Sequence, residues 1–335
     1  MTPYQHMFSI LDYRIVSYFT ETCIELNVFD RLATSALPIS QLAKYTNTHE
    51  RALYRCLRGL AHFGLVIEED GMVFSLTDTS HYITEDSQYS LRAWHQFCQL
   101  AQSSGHKKRL SLWKELLCTG KSIYQIGRHK LFYDYLRENQ KLATVFDKAM
   151  ESMSKAEIHD ILKHIDFSFS DHVTEIAGGS GMLIKGILEK YAKIKGQLCD
   201  FPDVVKRIAT EKRLTLSGSN MHQSLPTIAG DAIIKRVLHS YCDAKANNIL
   251  HQIYKSMQPG KKLYVFELIE DCDVLHPYTG IKHLQMLLAH GAPGKCGGPG
   301  ERTQKEFISL LASSGFEFVE SAKMPCIDAV IALRK

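Results

Sequence analysis

The chain has 335 residues, room for two domains, and its 45% hydrophobic and 23% charged content is ordinary for a globular protein with a sizeable core. Its 40 basic and 36 acidic residues leave a formal charge of +4 spread without long blocks, which argues against a dedicated nucleic-acid or membrane surface. No run approaches the roughly 18 apolar residues of a membrane span. The N-terminus Met1-Thr2-Pro3-Tyr4 lacks a signal-peptide pattern, so the expected location is cytoplasmic.

In chain order, apolar residues from Phe8 to Leu32 recur at helical spacing and predict one helix. Ser40–Tyr45 and Glu50–Leu60 predict two short helices joined by a turn, and Val66–Leu76 a hairpin around Asp70-Gly71. Together they predict a winged helix. Arg51, Arg55 and Arg58 share one face of its second helix, but an acidic wing tip, Glu68-Glu69-Asp70, would repel phosphate. Leu91 to His164 is again helical, broken at Ser103-Ser104-Gly105 and Thr119-Gly120. Its aromatic cluster of Trp94, Phe97, Trp113, Phe132, Tyr133, Tyr135 and Phe146 is expected to be mostly core. Nine scattered cysteines without a Cys-x-x-Cys pair indicate neither a zinc site nor a disulfide framework, and most are expected to be small buried hydrophobes.

After Phe169 short apolar strands (Val173–Ile176, Gly196–Cys199, Ala232–Ile234, Leu263–Phe266, Ala329–Ala332) alternate with helical patterns, predicting a mainly parallel sheet covered on both faces. The expected division is 1–100, 101–168 and 169–335. The first strand runs into Ala177-Gly178-Gly179-Ser180-Gly181 and then a helix from Met182. Such a unit lets a ligand approach bare backbone and the free N–H groups of a helix start. Asp200 lies 22 positions past Gly178, where the next strand would end and a carboxylate could bind a ribose diol, so the candidate ligand is a nucleoside. The dinucleotide fingerprint fails because its third glycine position is Ile184, and no Gly-Lys-Ser/Thr follows to make a phosphate loop.

His239 falls just past the strand Ala232–Ile234, at the edge where open parallel sheets bind ligands, and a histidine there can take a hydroxyl proton if something orients the ring. Glu267 ends the following strand, and Glu301 is expected to open the helical segment Glu301–Phe307. Either could orient the imidazole.

The runs Gly178-Gly179-Ser180-Gly181, Cys199-Asp200-Phe201-Pro202, Gly230-Asp231-Ala232, Lys235-Arg236-Val237-Leu238-His239, Met257-Gln258-Pro259-Gly260 and Gly300-Glu301-Arg302-Thr303 occur in a familiar order and spacing. The chain resembles, over nearly its whole length, the S-adenosylmethionine (SAM)-dependent O-methyltransferases that act on plant phenolics and bacterial polyketides. That resemblance implies an α/β, Rossmann-like methyltransferase domain behind a helical, winged-helix dimerisation domain, and a linker contributing to the acceptor pocket. It implies SAM as cofactor, with S-adenosylhomocysteine (SAH) as product, a hydroxylated aromatic small-molecule acceptor and a homodimer, with no nucleic acid, membrane or metal involved. It also implies roles: His239 as general base flanked by Glu267 and Glu301; Gly178, Gly179 and Gly181 at the methionine end; Asp200 with Phe201 at the ribose; Asn220 and Met221 at the adenine; Lys235 near the cofactor; and Phe146, Met150, Met286 and His290 around the acceptor.

Four departures stand out: Ala177 replaces the first glycine of the turn, Asn220 an acidic adenine contact, Ser240 the usual aspartate after the histidine, and Gly291–Pro299 is longer than in relatives. The rival readings are a relative that binds the cofactor but catalyses hydroxylation, decarboxylation or a pericyclic reaction, and a winged-helix regulator. His239 with both glutamates disfavours the first, and the acidic wing the second.

Overall fold

The computed structural model describes residues 3–101, 106–270, 277–291 and 300–335. It comprises two compact units, Met1–Ser103 with Lys141–Met153, and Ser104–Gln140 with Ser154–Lys335, so the stretch read as a linker contributes to both.

In the first unit the order is α1 (Pro3–Glu25), α2 (Val28–Thr34), β1 (Leu37–Pro38), α3 (Ile39–Thr46), α4 (Glu50–Ala61), β2 (Val66–Glu69), β3 (Val73–Leu76), α5 (Asp78–His81) and α6 (Arg92–Ala101). The predicted helix 8–32 is two helices, because Asn27 turns left-handed (φ 57°), a conformation asparagine tolerates. The hairpin forms as expected, β2 pairing antiparallel with β3 and β1 adding on the other side of β3. Phe29, Leu42, Leu57 and Phe74 centre its core.

Helices α7 (His106–Thr119), α8 (Ile123–Arg128), α9 (Phe132–Glu138) and α10 (Gln140–His164) follow. A left-handed His129 (φ 57°) ends α8, a break that the sequence pattern did not show; the predicted break at 103–105 lies outside the described residues. Two of the aromatic cluster stay well exposed, Trp113 and Tyr133.

The remaining elements of the second unit are β4 (His172–Ile176), α11 (Met182–Lys190), β5 (Lys195–Asp200), α12 (Pro202–Val205), β6 (Leu214–Gly218), β7 (Asp231–Lys235), a 3₁₀ turn (Leu238–Ser240), α13 (Asp243–Ser256), β8 (Lys262–Glu267), β9 (Ile269–Glu270), α14 (Pro277–His290), β10 (Arg302–Thr303), α15 (Gln304–Ser313), β11 (Phe316–Ala322) and β12 (Asp328–Arg334). Seven strands form one sheet in the order β11-β12-β8-β7-β4-β5-β6. All neighbours are parallel except β12, which runs antiparallel to both β8 and β11. The strands bury both faces, hence their continuous apolar runs. Ile176, Ile234, Leu263 and Val265 pack under α13 and α15 on one side, and Val173, Leu198, Ile233 and Phe266 under α11 on the other. The chain runs outward from β4 through β5 to β6 and returns on the opposite side of β4 as β7, which makes the carboxyl ends of β4 and β7 the switch point where such sheets bind ligands.

Three expectations need correction. Strands β6 and β11 were not predicted, since their alternating exposure weakens the apolar signal. Glu301 does not open a helix: it precedes β10, and α15 begins only at Gln304, capped by Thr303. Of the described cysteines only Cys23 and Cys199 are fully buried; Cys118 is exposed and the others are half-buried.

Candidate active site

Beyond Ile176 the backbone turns left-handed at Ala177 (φ 54°), Gly179 (φ 59°) and Gly181 (φ 73°) before entering α11. Gly178 is demanded by packing, because a Cβ there would lie 2.5 Å from the Glu175 carboxyl carbon and 2.7 Å from a Leu198 methyl. At Gly179 no atom lies within 4 Å of where a Cβ would stand, so this point of the turn faces open space. Asp200, the last residue of β5, clasps the turn: Oδ2 accepts the Gly179 N–H at 2.9 Å and Oδ1 the Phe201 N–H at 2.7 Å. Burial raises the Asp200 pKa, and these two bonds pull it back. Phe201 is exposed beside it.

Glu175 was missed. It is buried in β4, accepts the Ile184 N–H at 3.1 Å, and is pushed up to about 7 by burial, against the pull of that bond and of the Lys235 ammonium. The available signal was an acid inside an otherwise apolar strand, immediately before a glycine turn.

Asn220 shapes the turn after β6, its Oδ1 accepting the His222 N–H at 3.0 Å. Met221 is buried in the apolar cluster against which Ala177 packs. Lys235, at the end of β7, donates to Glu157 at 2.7 Å and to Ser154 at 3.1 Å.

His239, in the 3₁₀ turn after β7, places Nδ1 2.6 Å from Glu267 Oε2. Glu267 Oε1 accepts the N–H groups of Val237 at 2.9 Å and Leu238 at 2.8 Å. Burial works to raise the Glu267 pKa, but the imidazole, Arg236 and backbone donors outweigh it and hold the pKa below its ordinary value. An ionised carboxylate only accepts, so Nδ1 carries the proton and Nε2 is left as the basic nitrogen.

The strand pair β9–β10 and Arg302 bring Glu301 to this place. Arg302 donates to Leu238 O at 2.8 Å, Tyr241 O at 2.7 Å and Asp243 Oδ1 at 2.9 Å, while Gly300 N–H reaches His239 O at 2.8 Å. Burial raises the Glu301 pKa, Arg236 and His239 lower it, and Glu267 raises it further. Its Oε2 is buried with no hydrogen-bond partner among the described residues. A ring nitrogen of His239 and a carboxylate oxygen each of Glu267 and Glu301 all lie within 4.8 Å of one another, and the guanidinium of Arg236 provides the positive charge between the two carboxylates. Sequence reasoning quoted Arg236 but assigned it no role.

His290, at the end of α14, lies edge-on to Phe132 with ring centres 5.7 Å apart and 5.6 Å from the Tyr133 ring. Its pKa is pushed down to about 4 by burial and by the nearby His239, so it is neutral at physiological pH. Met286 is half-buried one turn earlier on the same helix face. Burial raises the Tyr133 pKa, against the pull of Ser240, although the residue as a whole remains 47% exposed. Phe146 and Met150 belong to the first unit, where Phe146 packs 5.1 Å from Phe97 and Met150 is half-buried. The glycine turn, Asp200, Lys235, His239, Glu267, Glu301, Met286 and His290 all belong to the second unit; of the extended 291–299 stretch, 292–299 lies outside the described residues.

Residues 97–317 match the O-methyltransferase domain and residues 8–86 the O-methyltransferase dimerisation domain. The chain is 28% identical over 316 residues to O-methyltransferase SfmM3 of Streptomyces lavendulae, covering 90% of this chain and 91% of that one. It is 27% identical over 328 residues to the phenazine O-methyltransferase PhzM of Lysobacter antibioticus, covering 92% and 90%. Among solved structures, human N-acetylserotonin methyltransferase in complex with SAM aligns with a TM-score of 0.78 at 22% identity, over 100% of this chain and 98% of that one. CalO1, a methyltransferase of calicheamicin biosynthesis in an SAH-bound form, aligns with a TM-score of 0.82 at 19% identity over 100% of both chains; these two likenesses show the fold. With two thirds of its length matched by the catalytic domain and most of the remainder by the dimerisation domain, the chain belongs to the O-methyltransferase family.

Proposed function

We propose that the chain transfers a methyl group from S-adenosylmethionine to a hydroxyl of a small aromatic molecule, with His239 as the general base. The observation that carries this reading is the 2.6 Å bond between His239 Nδ1 and Glu267 at the carboxyl edge of the sheet, close to a glycine turn clasped by Asp200. The residues fit the cofactor: Gly179 faces open space, and each Asp200 oxygen, already taking one backbone N–H, has a lone pair to offer a ribose hydroxyl. Gly178 and Gly181 would admit the methionine end, Asn220, Met221 and Phe201 would flank the adenosine, and Lys235 would lie nearby.

Bound there, S-adenosylmethionine supplies a methyl group already activated by positive charge on sulfur. His239 Nε2 removes the proton of the acceptor hydroxyl while Glu267 holds Nδ1–H and Glu301 lies within 4.8 Å of both. The neutral His290, with Phe132 and Tyr133, offers flat faces to an aromatic acceptor, and Met286 extends the proposed lining on the same helix. Most of the rate gain comes from alignment, with a base of this kind adding ~10²–10⁴-fold.

The test is mass spectrometry of the purified protein incubated with methyl-labelled S-adenosylmethionine and a panel of phenols. A labelled methyl ether formed by the wild type and lost in His239→Ala is the expected result. Cofactor binding with no methylated product from any phenol would place the chain among relatives that do other chemistry.

We further propose a cytoplasmic homodimer. Helix α1 exposes Ile10, Leu11, Ile15, Tyr18 and Phe19, with Leu11 at 66%, more apolar surface than a solvent-facing helix usually carries, within the segment matched to the dimerisation domain. Among the described residues no helix is long and apolar enough to cross a membrane, and Arg58 of the winged helix pairs with the wing residue Glu68 at 3.6 Å rather than facing a free basic groove. Light scattering should give twice 38.0 kDa, and Leu11→Glu with Phe19→Glu should give one chain.

A further inference from the structure

Three acidic side chains and one guanidinium meet beside the imidazole. Glu267 and Glu301 are almost fully buried, and Arg236 keeps only 15% of its side chain exposed. One nitrogen of Arg236, Nη1, lies 3.3 Å from Glu301 Oε1 and 3.7 Å from Glu267 Oε2, the same oxygen that binds His239 Nδ1. Its Nε lies 3.5 Å from Glu157 Oε1, and the other oxygen of Glu157 is bonded to Lys235. The backbone at Arg236 is left-handed (φ 55°) and tied to Phe266 O by a 2.9 Å bond, a conformation that a non-glycine residue keeps only where its surroundings hold it.

We propose that Arg236 is a positioning residue for the reaction: its fork spans Glu157, Glu267 and Glu301, holds both site carboxylates in place, and balances their charge so that they do not draw a second proton onto His239. The inference rests on reading His239 as the base. Two uncompensated carboxylates this close would favour the imidazolium, which cannot accept a proton. A cation 3.7 Å from the shared oxygen opposes that, while leaving Glu267 free to hold Nδ1–H. Among the described residues, His290 beside the cluster is uncharged, the Lys235 ammonium is engaged by Glu157, and the Arg302 guanidinium is paired with Asp243. Arg236 is therefore the cation set between Glu267 and Glu301. The same geometry explains the choice of arginine, whose planar fork addresses several carboxylates at once where the ammonium of lysine is a point charge.

The experiment is an NMR pH titration of full-length protein carrying 15N-labelled histidine, in the wild type, Arg236→Gln and Arg236→Lys, with His239→Asn used to assign the resonance. It requires no acceptor and no methylation, so its outcome is separate from that of the catalytic assay. The expected result is a rise in the His239 midpoint of about one pH unit in Arg236→Gln and a smaller rise in Arg236→Lys, with circular dichroism unchanged. With an acceptor in hand, turnover of Arg236→Gln should fall at neutral pH and recover in alkaline buffer. An unshifted midpoint in the folded Gln variant overturns the proposal. If that variant does not fold, an unshifted midpoint in the Lys variant overturns it equally, and so does a loss of turnover that is uniform across pH.

Discussion

The two oxygens of Glu267 do different things to His239: Oε2 accepts the ring N–H of Nδ1, while Oε1 accepts the backbone N–H groups of Val237 and Leu238, the two residues that precede the histidine. This asymmetry makes Glu267→Gln informative. The amide oxygen has to take the Oε1 position, since an NH₂ cannot accept two N–H bonds, and the NH₂ then faces Nδ1. The imidazole must accept there, so its proton moves to Nε2 and the base is blocked. Glu267→Gln should lose turnover on the scale of removing the histidine, about 10²–10⁴-fold, with cofactor affinity unchanged. Glu301→Gln, which leaves the tautomer alone, should lose less. Equal kcat values for Glu267→Gln and wild type on the same acceptor would show that the dyad does not work through its tautomer.

Glu175 gives the ligand-free fold a pH dependence of definite sign. Its pKa is raised by burial from 4.5 to about 7, so the folded state binds the proton more tightly than the unfolded chain. Stability from this group is therefore greatest below pH 4.5, declines as pH rises towards 7, and is flat above. The full decline is on the order of 3 kcal/mol at about 1.4 kcal/mol per unit. Glu175→Gln keeps an oxygen for the Ile184 N–H and removes the charge. Urea midpoints measured from pH 5 to 8 should fall with pH in the wild type more than in Glu175→Gln, and the variant should be the more stable at pH 8. Parallel curves would mean that Glu175 does not titrate in this window.

Asp200→Ala should weaken S-adenosylmethionine binding by about 1.5–3 kcal/mol, the scale of a hydrogen bond to a charged group. The loss has two sources here, the ribose contacts and the clasp on Gly179, so Asp200→Asn, which can still accept the Gly179 N–H, should lose less. Calorimetry giving wild-type affinity for Asp200→Ala would move the ribose site elsewhere.

What could be read in the sequence was whatever is local. The strand, glycine turn and helix around Gly178–Gly181, the carboxylate closing β5 and the histidine just past β7 each announce themselves within about ten residues, through apolar periodicity and turn chemistry. What escaped depends on contacts between distant positions. Arg236 meets Glu301 across 65 residues, and nothing in Lys235-Arg236-Val237 marks which of the two cations reaches the carboxylates beside His239. Glu301 is placed by a two-residue pairing of β9 with β10, too short to show a period of two. Strands β6 and β11 lie at the edges of the sheet, where half-exposed residues dilute the apolar run.

Ala177 occupies a left-handed position (φ 54°), a conformation that favours glycine. For an L-residue with a Cβ this conformation costs about 1–2 kcal/mol. Glycine removes that strain but makes the unfolded chain more flexible, returning about 0.5–1 kcal/mol of the gain, and the Ala177 methyl also packs against the core cluster containing Met221. Ala177→Gly should therefore raise stability by no more than about 1 kcal/mol and leave the Gly179–Asp200 clasp intact. One position on, Gly178→Ala should behave oppositely, because its methyl would meet the Glu175 carboxyl group and Leu198 well inside contact distance. That overlap should cost about 1–3 kcal/mol, unless Glu175 swings away and gives up the Ile184 N–H. Urea denaturation of both variants at pH 8, with S-adenosylhomocysteine binding measured alongside, tests the pair. A lower midpoint in Ala177→Gly would mean that the packing of its methyl outweighs the backbone strain, and an unchanged midpoint in Gly178→Ala that the turn has room the structure does not give it.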